Sequence, residues 1–170
     1  AVVCPAFLKR NWRAEVKKHT TLNPFILGEK HNPCDVDSAD IFILNYEQIH
    51  KWKDFLMTKG IDCVIGDELH YVKNIQTKRT LNMFSLIQGL APANFIGLTG
   101  TPIRSHVTDF YTLLKMCDMG YPKHLKNVEN FNFFSFAKTF SNPYVMDLGK
   151  VRITKYRGLR QVDRLRALIK

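Results

Sequence analysis

An apolar run, Val64-Ile65-Gly66, ends in Asp67-Glu68-Leu69-His70. Adjacent carboxylates at the tip of a buried strand suit a division of labour. One can hold Mg²⁺ on a nucleotide phosphate through its water shell, while the next orients or deprotonates an attacking water. The C-terminal ends of strands are also where open α/β sheets place ligands. A second short apolar strand, Asn94-Phe95-Ile96-Gly97, ends in Leu98-Thr99-Gly100-Thr101-Pro102. There Gly100 is expected to supply an unusual backbone angle and Pro102 to fix the exit. The hydroxyls of Thr99 and Thr101 are placed to hydrogen-bond across to a neighbouring strand tip.

The elements around these residues must bring them together. Between the two strands, Lys78 to Leu90 has helical spacing, with Leu81, Phe84, Ile87 and Leu90 predicted to face inward. Strand, helix, strand implies a right-handed crossover and two parallel strands, so both polar tips emerge at one sheet edge. Upstream, residues 1–4 read as a strand ending at Pro5. A helix follows with Leu8, Trp12 and Val16 on one face and Lys9, Arg10, Arg13, Lys17 and Lys18 elsewhere around it. Phe25-Ile26-Leu27 and Ile41 to Leu44 read as strands separated by a turn at Asn32-Pro33. Ile49, Trp52, Phe55 and Leu56 suggest a helix stopping at Gly60, and Val107 to Cys117 another. This alternation predicts an α/β fold, a mostly parallel sheet with helices on both faces.

After Pro122 the rhythm is lost. Phe131, Phe133, Phe134, Phe136 and Phe140 crowd a short stretch and read as core, and residues 141–158 are rich in turn formers and basic groups. The expected organisation is a core over residues 1–122, with 123–170 an appended helical or irregular element of the same unit.

Several motifs, taken in order, resemble one family. Asp67-Glu68-Leu69-His70 with Lys73-Asn74 is similar to the Asp-Glu-x-His box of superfamily-two helicases, and Thr77-Lys78-Arg79 to its form in Swi/Snf-type DNA translocases. Leu98-Thr99-Gly100-Thr101-Pro102-Ile103 resembles their coupling motif. Val2-Val3-Cys4-Pro5 with Leu8, Asn11, Trp12 and Glu15 resembles their first DNA-contact motif, and Ile43-Leu44-Asn45-Tyr46-Glu47 stands where a second is expected. Tyr156-Arg157-Gly158-Leu159 with Leu165 and Leu168 resembles the annealing-helicase branch. The resemblance implies the N-terminal RecA-like lobe, of the P-loop NTPase type, of a motor that couples ATP hydrolysis to movement on duplex DNA. Asp67 would hold Mg²⁺ through water, Glu68 would position the hydrolytic water, and His70 would link Glu68 to Thr99 or Thr101. Thr99, Gly100 and Thr101 would carry coupling. Lys9, Asn11, Trp12, Asn45 and Tyr46 would meet DNA without reading its sequence. The residues themselves leave two roles open, because Trp12 is in phase with a buried face and Asn45 could cap a helix.

Some positions depart from that family. Leu69 stands in place of the usual alanine, Gly66 in place of an apolar strand residue, Phe7 in place of a hydroxyl residue and Ser105 in place of asparagine. No phosphate loop of the form Gly-x-x-x-x-Gly-Lys-Ser/Thr is present. At Gly149-Lys150, Tyr144 stands for the first glycine and Val151 for the hydroxyl. The chain is therefore expected to be the interior of a larger motor, truncated before residue 1 and after residue 170. The isolated chain is expected to be inactive, with ATP and Mg²⁺ as the motor's cofactors and a second RecA-like lobe as a further partner. Alternatives are a non-catalytic DNA-binding or protein-docking module, an RNA helicase, or a restriction-type motor.

Composition sets the remaining bounds. The 170 residues include 45% hydrophobic and 24% charged ones, and no apolar run reaches the ~20 residues of a membrane span. The four cysteines form no Cys-x-x-Cys pair, which argues against zinc and for a reduced, intracellular setting, whether cytoplasm or nucleus. A net charge of +10 favours a polyanionic partner such as DNA.

Overall fold

The computed structural model describes residues 1–29, 34–102, 106–120, 132–147, 149 and 152–169. Expectations for Asn32-Pro33, Ile103, Ser105 and Phe131 fall outside them. Five short strands form one sheet: β1 (Val2–Cys4), β2 (Pro24–Ile26), β3 (Ile41–Asn45), β4 (Cys63–Gly66) and β5 (Asn94–Gly97). Their order is β2-β3-β1-β4-β5, and every pairing is parallel. The connections carry α1 (Lys9–His19), α2 (Cys34–Asp37), α3 (Ile49–Met57) and α4 (Lys78–Leu90), and α5 (Val107–Gly120) follows β5.

Side chains alternate across a strand, so neighbouring residues feed opposite faces. Val2, Cys4, Ile26 and Ile43 form one buried cluster, against which Leu8 and Trp12 from the α1 side pack. Val3, Phe42, Leu44, Val64 and Phe95 point the other way, into a larger core shared with α3, α4 and α5. Burial on both faces explains why these strands read as apolar runs rather than as alternating patterns.

Helix α4 keeps its predicted span and buries Ile87 as expected, with Phe84 and Leu90 partly buried against the core, but its fully buried face is shifted. The inward residues are Thr80, Met83, Leu86 and Ile87, whereas Leu81 is 54% exposed. A threonine holds an inward place because its hydroxyl, 3.0 Å from Val72 O, donates to that carbonyl. Thr77 caps the helix, its Oγ1 accepting from Thr80 N at 3.3 Å.

The last segment also differs from expectation. Beyond α6 (Phe133–Phe140), the stretch predicted to be irregular forms an antiparallel hairpin, β6 (Asn142–Asp147) and β7 (Arg152–Arg157), followed by α7 (Val162–Ile169). Phe136, Phe140 and Leu165 join the larger core, and Phe133 and Phe136 lie against the Tyr111 ring of α5. Phe134 points outward, 72% exposed.

Candidate functional site

Strands β4 and β5 run in register, with Gly66 opposite Gly97. Leu98 N donates to Gly66 O and Leu69 N to Leu98 O, each at 2.8 Å, so the pairing continues past the strands and locks the two tips together. The acidic end and the threonine end therefore meet, as the crossover predicted.

Asp67 is held from several sides. Its amide donates to Val3 O of β1 at 2.8 Å. Its carbonyl accepts from the Tyr46 hydroxyl at 2.7 Å. Its Oδ1 accepts from Glu68 N at 2.9 Å, and its Oδ2 from the Trp12 indole Nε1–H at 2.7 Å. Glu68 adopts φ 50° and ψ 50°, a left-handed conformation that non-glycine residues enter at a cost of about 1–2 kcal/mol. That turn swings its carboxylate toward His70, whose Nδ1 lies 3.1 Å from Glu68 Oε2 and 3.4 Å from Thr99 Oγ1. The imidazole thus stands between the second acid and the β5 tip. Thr101 connects only indirectly, its amide donating to Thr99 Oγ1 at 3.2 Å. Gly100 does not have the special backbone angle expected of it. Its φ is not positive, and a Cβ there would meet no atom of the described residues within 4 Å.

The expected DNA-facing residues separate into two groups. Asn11 is exposed and Lys9 half-buried, its Nζ 3.4 Å from Gln48 Oε1. The expectation of a surface position for Asn45 and Tyr46 is overturned. Asn45 is buried, with its Nδ2 donating to Glu47 Oε2 at 2.7 Å. Tyr46 is 0% exposed and stacks parallel to Tyr71, with centroids 6.2 Å apart. A bond to the Asp67 carbonyl gives the phenol a buried partner, and so takes it inward. Burial, then the charge of Asp67, raises the Tyr46 pKa and keeps the group a donor. The same two causes push the Cys4 thiol up to about 12. Trp12 is half-buried beneath the sheet, the alternative its phase had left open.

Glu47 and Arg79, which the sequence placed in motifs but not in the expected site, join this region. Arg79 lies 2.7 Å from Glu47 Oε1, and its guanidinium sits 5.3 Å from the Tyr71 ring centroid. With Tyr46, His50 and Lys78 they line an open cavity of about 450 Å³. Burial opposes the charge of Glu47, but bonds from Asn45 and its own backbone, with Arg79, hold its carboxyl below the usual value. The adjacent triplet Thr77-Lys78-Arg79 was the available signal, but nothing in it names Glu47 as partner. A further ion pair, Lys73 Nζ to Asp109 Oδ2 at 2.7 Å, ties the turn after β4 to α5.

Among the described residues no group of three or more His, Cys, Asp or Glu side chains forms a metal cage. Two adjacent carboxylates fit the alternative, in which Mg²⁺ keeps most of its waters and is shared with phosphates. No helix among the described residues is long and apolar enough to cross a membrane.

A parallel sheet in this strand order, with helices packed on it and two polar strand tips side by side, has the architecture of a RecA-like lobe. The whole chain, residues 1–170, matches the SNF2-related domain, and it belongs to that family. Its fold is shared with the Sulfolobus solfataricus SWI2/SNF2 ATPase core solved in complex with dsDNA, at a TM-score of 0.58 and 24% identity over 82% of this chain and 27% of that one. Relatives include the DNA repair and recombination protein RAD54B of Gallus gallus, 27% identical over 125 residues, 70% of this chain and 13% of that protein. Nuclear protein STH1/NPS1 of Saccharomyces cerevisiae is 26% identical over 177 residues, 99% of this chain and 12% of that protein. The chain thus spans about an eighth of the length of these two relatives.

Proposed function

We propose that the chain forms part of the first RecA-like lobe of a Swi/Snf-type motor that couples ATP hydrolysis to movement along duplex DNA. The observation that carries this reading is the cluster Asp67, Glu68, His70 and Thr99 at two adjacent strand tips. Mg²⁺, when bound with ATP, would supply positive charge against that developing on the phosphates. Asp67 would hold that ion through its water shell, its own backbone fixed on both sides. Glu68 orients the attacking water and accepts its proton. His70, bonded to Glu68 and Thr99, reports the state of that acid to the β5 tip. Lys9 and Asn11 on α1 meet the DNA backbone without reading bases.

In this reading residues 1–122 are the core of the lobe and 123–170 an appended element of it, a division supported by the packing of α6 on α5. A second RecA-like lobe closes over the nucleotide, and the motor works in the nucleus, in keeping with its likeness to nuclear protein STH1/NPS1.

The test is Glu68→Gln in the motor with both lobes present. Hydrolysis should fall by about 10²–10⁴-fold while nucleotide binding persists, because an amide keeps the shape but cannot take the proton. Binding lost as severely as turnover would make Glu68 a structural residue.

A further inference from the structure

Helix α1 carries two kinds of residue on adjoining faces. Asn11 is exposed and Lys9 half-exposed, while Trp12 turns under the sheet among Leu8, Ile26 and Ile43. An indole packed this way still needs a partner for its one N–H. The partner is not a backbone carbonyl but a carboxylate 55 residues away, Asp67 Oδ2 at 2.7 Å. A bond from a neutral donor to a charged acceptor is among the stronger kinds in a protein, and it has a fixed direction. The other carboxylate oxygen is bonded to Glu68 N, which belongs to the same turn as Asp67. The Trp12 bond therefore reaches the acid from a different element, the one that presents Lys9 and Asn11. Tyr46, at the tip of β3, holds the Asp67 backbone rather than its side chain.

We propose that Trp12 is a positioning residue: its indole N–H aims the Asp67 carboxylate and passes displacement of α1, when DNA seats on Lys9 and Asn11, to the acid that holds Mg²⁺. This deepens the translocase reading and rests on it. DNA-dependent hydrolysis then has a mechanical origin in one hydrogen bond, and Trp12 touches neither DNA nor nucleotide.

Two variants decide it. In this chain the Trp12 indole ¹H–¹⁵N resonance, distinguished from that of Trp52, should move upfield on Asp67→Asn, because the charged acceptor is gone. A resonance that does not move would show that the bond is absent and overturn the proposal, with no substitution at Trp12 itself. In the motor with both lobes, Trp12→Phe keeps a packed ring and removes only the donor. Mn²⁺ affinity of the ADP-bound protein, read by electron paramagnetic resonance, should fall by about 10–100-fold, the range seen when partners of metal-holding groups are removed. Affinity for a duplex at fixed salt should stay at the wild-type value, while stimulation of turnover by that duplex is lost. Reduced DNA affinity with unchanged Mn²⁺ affinity would make Trp12 a direct DNA contact and overturn the proposal, as would wild-type values for both. A wild-type motor whose turnover ignores DNA would instead sink the translocase reading, and the coupling with it. Wild-type stimulation that survives Trp12→Phe would sink the coupling alone.

Discussion

The side chain of Leu69 fills the space that a Cβ on Gly66 would need. A Cβ built on Gly66 would lie 2.8 Å from Leu69 Cδ1, and one on Gly97 only 2.6 Å from Leu69 Cδ2. Leu69, 2% exposed, is thus lodged over two paired strand glycines. Two departures from the family pattern, a large residue at 69 and none at 66, are one packing arrangement.

That arrangement predicts a coupled pair. Leu69→Ala should cost about 2–5 kcal/mol through the cavity it leaves. Gly66→Ala should cost about 1–3 kcal/mol by overpacking. Together they should cost less than their sum by about 0.5–3 kcal/mol, because the new methyl enters the vacated space. Urea unfolding of the four proteins closes the cycle, and strict additivity would show that the two sites are independent.

Tyr46→Phe separates a structural tyrosine from a DNA-contacting one. Removing the hydroxyl leaves the Asp67 carbonyl without that donor, and stability should drop by about 1–3 kcal/mol. Binding to duplex DNA should be unchanged in a salt-controlled titration. A selective loss of DNA affinity at unchanged melting temperature would put the ring on the surface.

Acid should release the Glu47–Arg79 pair. The folded-state pKa of Glu47 is depressed, so its contribution is present above the ordinary glutamate value and disappears as pH falls through the folded one. With half of the Glu47 side chain exposed, the contribution should be under about 1 kcal/mol. Melting curves of wild type and Glu47→Gln should differ at neutral pH and converge as pH falls below the ordinary glutamate value and through the depressed one, and a gap that widens on acidification would reverse the sign.

By itself the chain should show no meaningful ATPase activity, and its DNA binding should be weak, sequence-independent and steep in salt. With a net charge of +10, an affinity in the non-specific range of about 10⁻⁴–10⁻⁶ M is expected. Lys9→Ala should weaken binding equally for all sequences and flatten the salt dependence. Marked preference for one sequence, or binding indifferent to salt, would point to a different surface.

Much of the sheet was legible because parallel strands buried on both faces leave plain apolar runs, as at Val2 to Cys4 and Ile41 to Leu44. The meeting of Asp67, Glu68, His70 and Thr99 was legible because all four sit at the ends of two strands joined by one crossover. Partners distant in sequence were not, since no local pattern announces that the indole of Trp12 or the phenol of Tyr46 will bond to Asp67. The inward turn of Thr80 was hidden for the same reason, its acceptor being the carbonyl of Val72. The hairpin at 142–157 escaped because most of its residues are exposed, leaving no apolar alternation to read.

The backbone of Glu68 sets local stability against the side chain this position carries. A glycine would adopt φ 50° freely, whereas a glutamate enters it under strain. Folding alone would favour losing the side chain. In the motor proposed above, the carboxylate at this position would supply chemistry at a cost in stability, a trade-off in which a useful residue is one of the least stabilising.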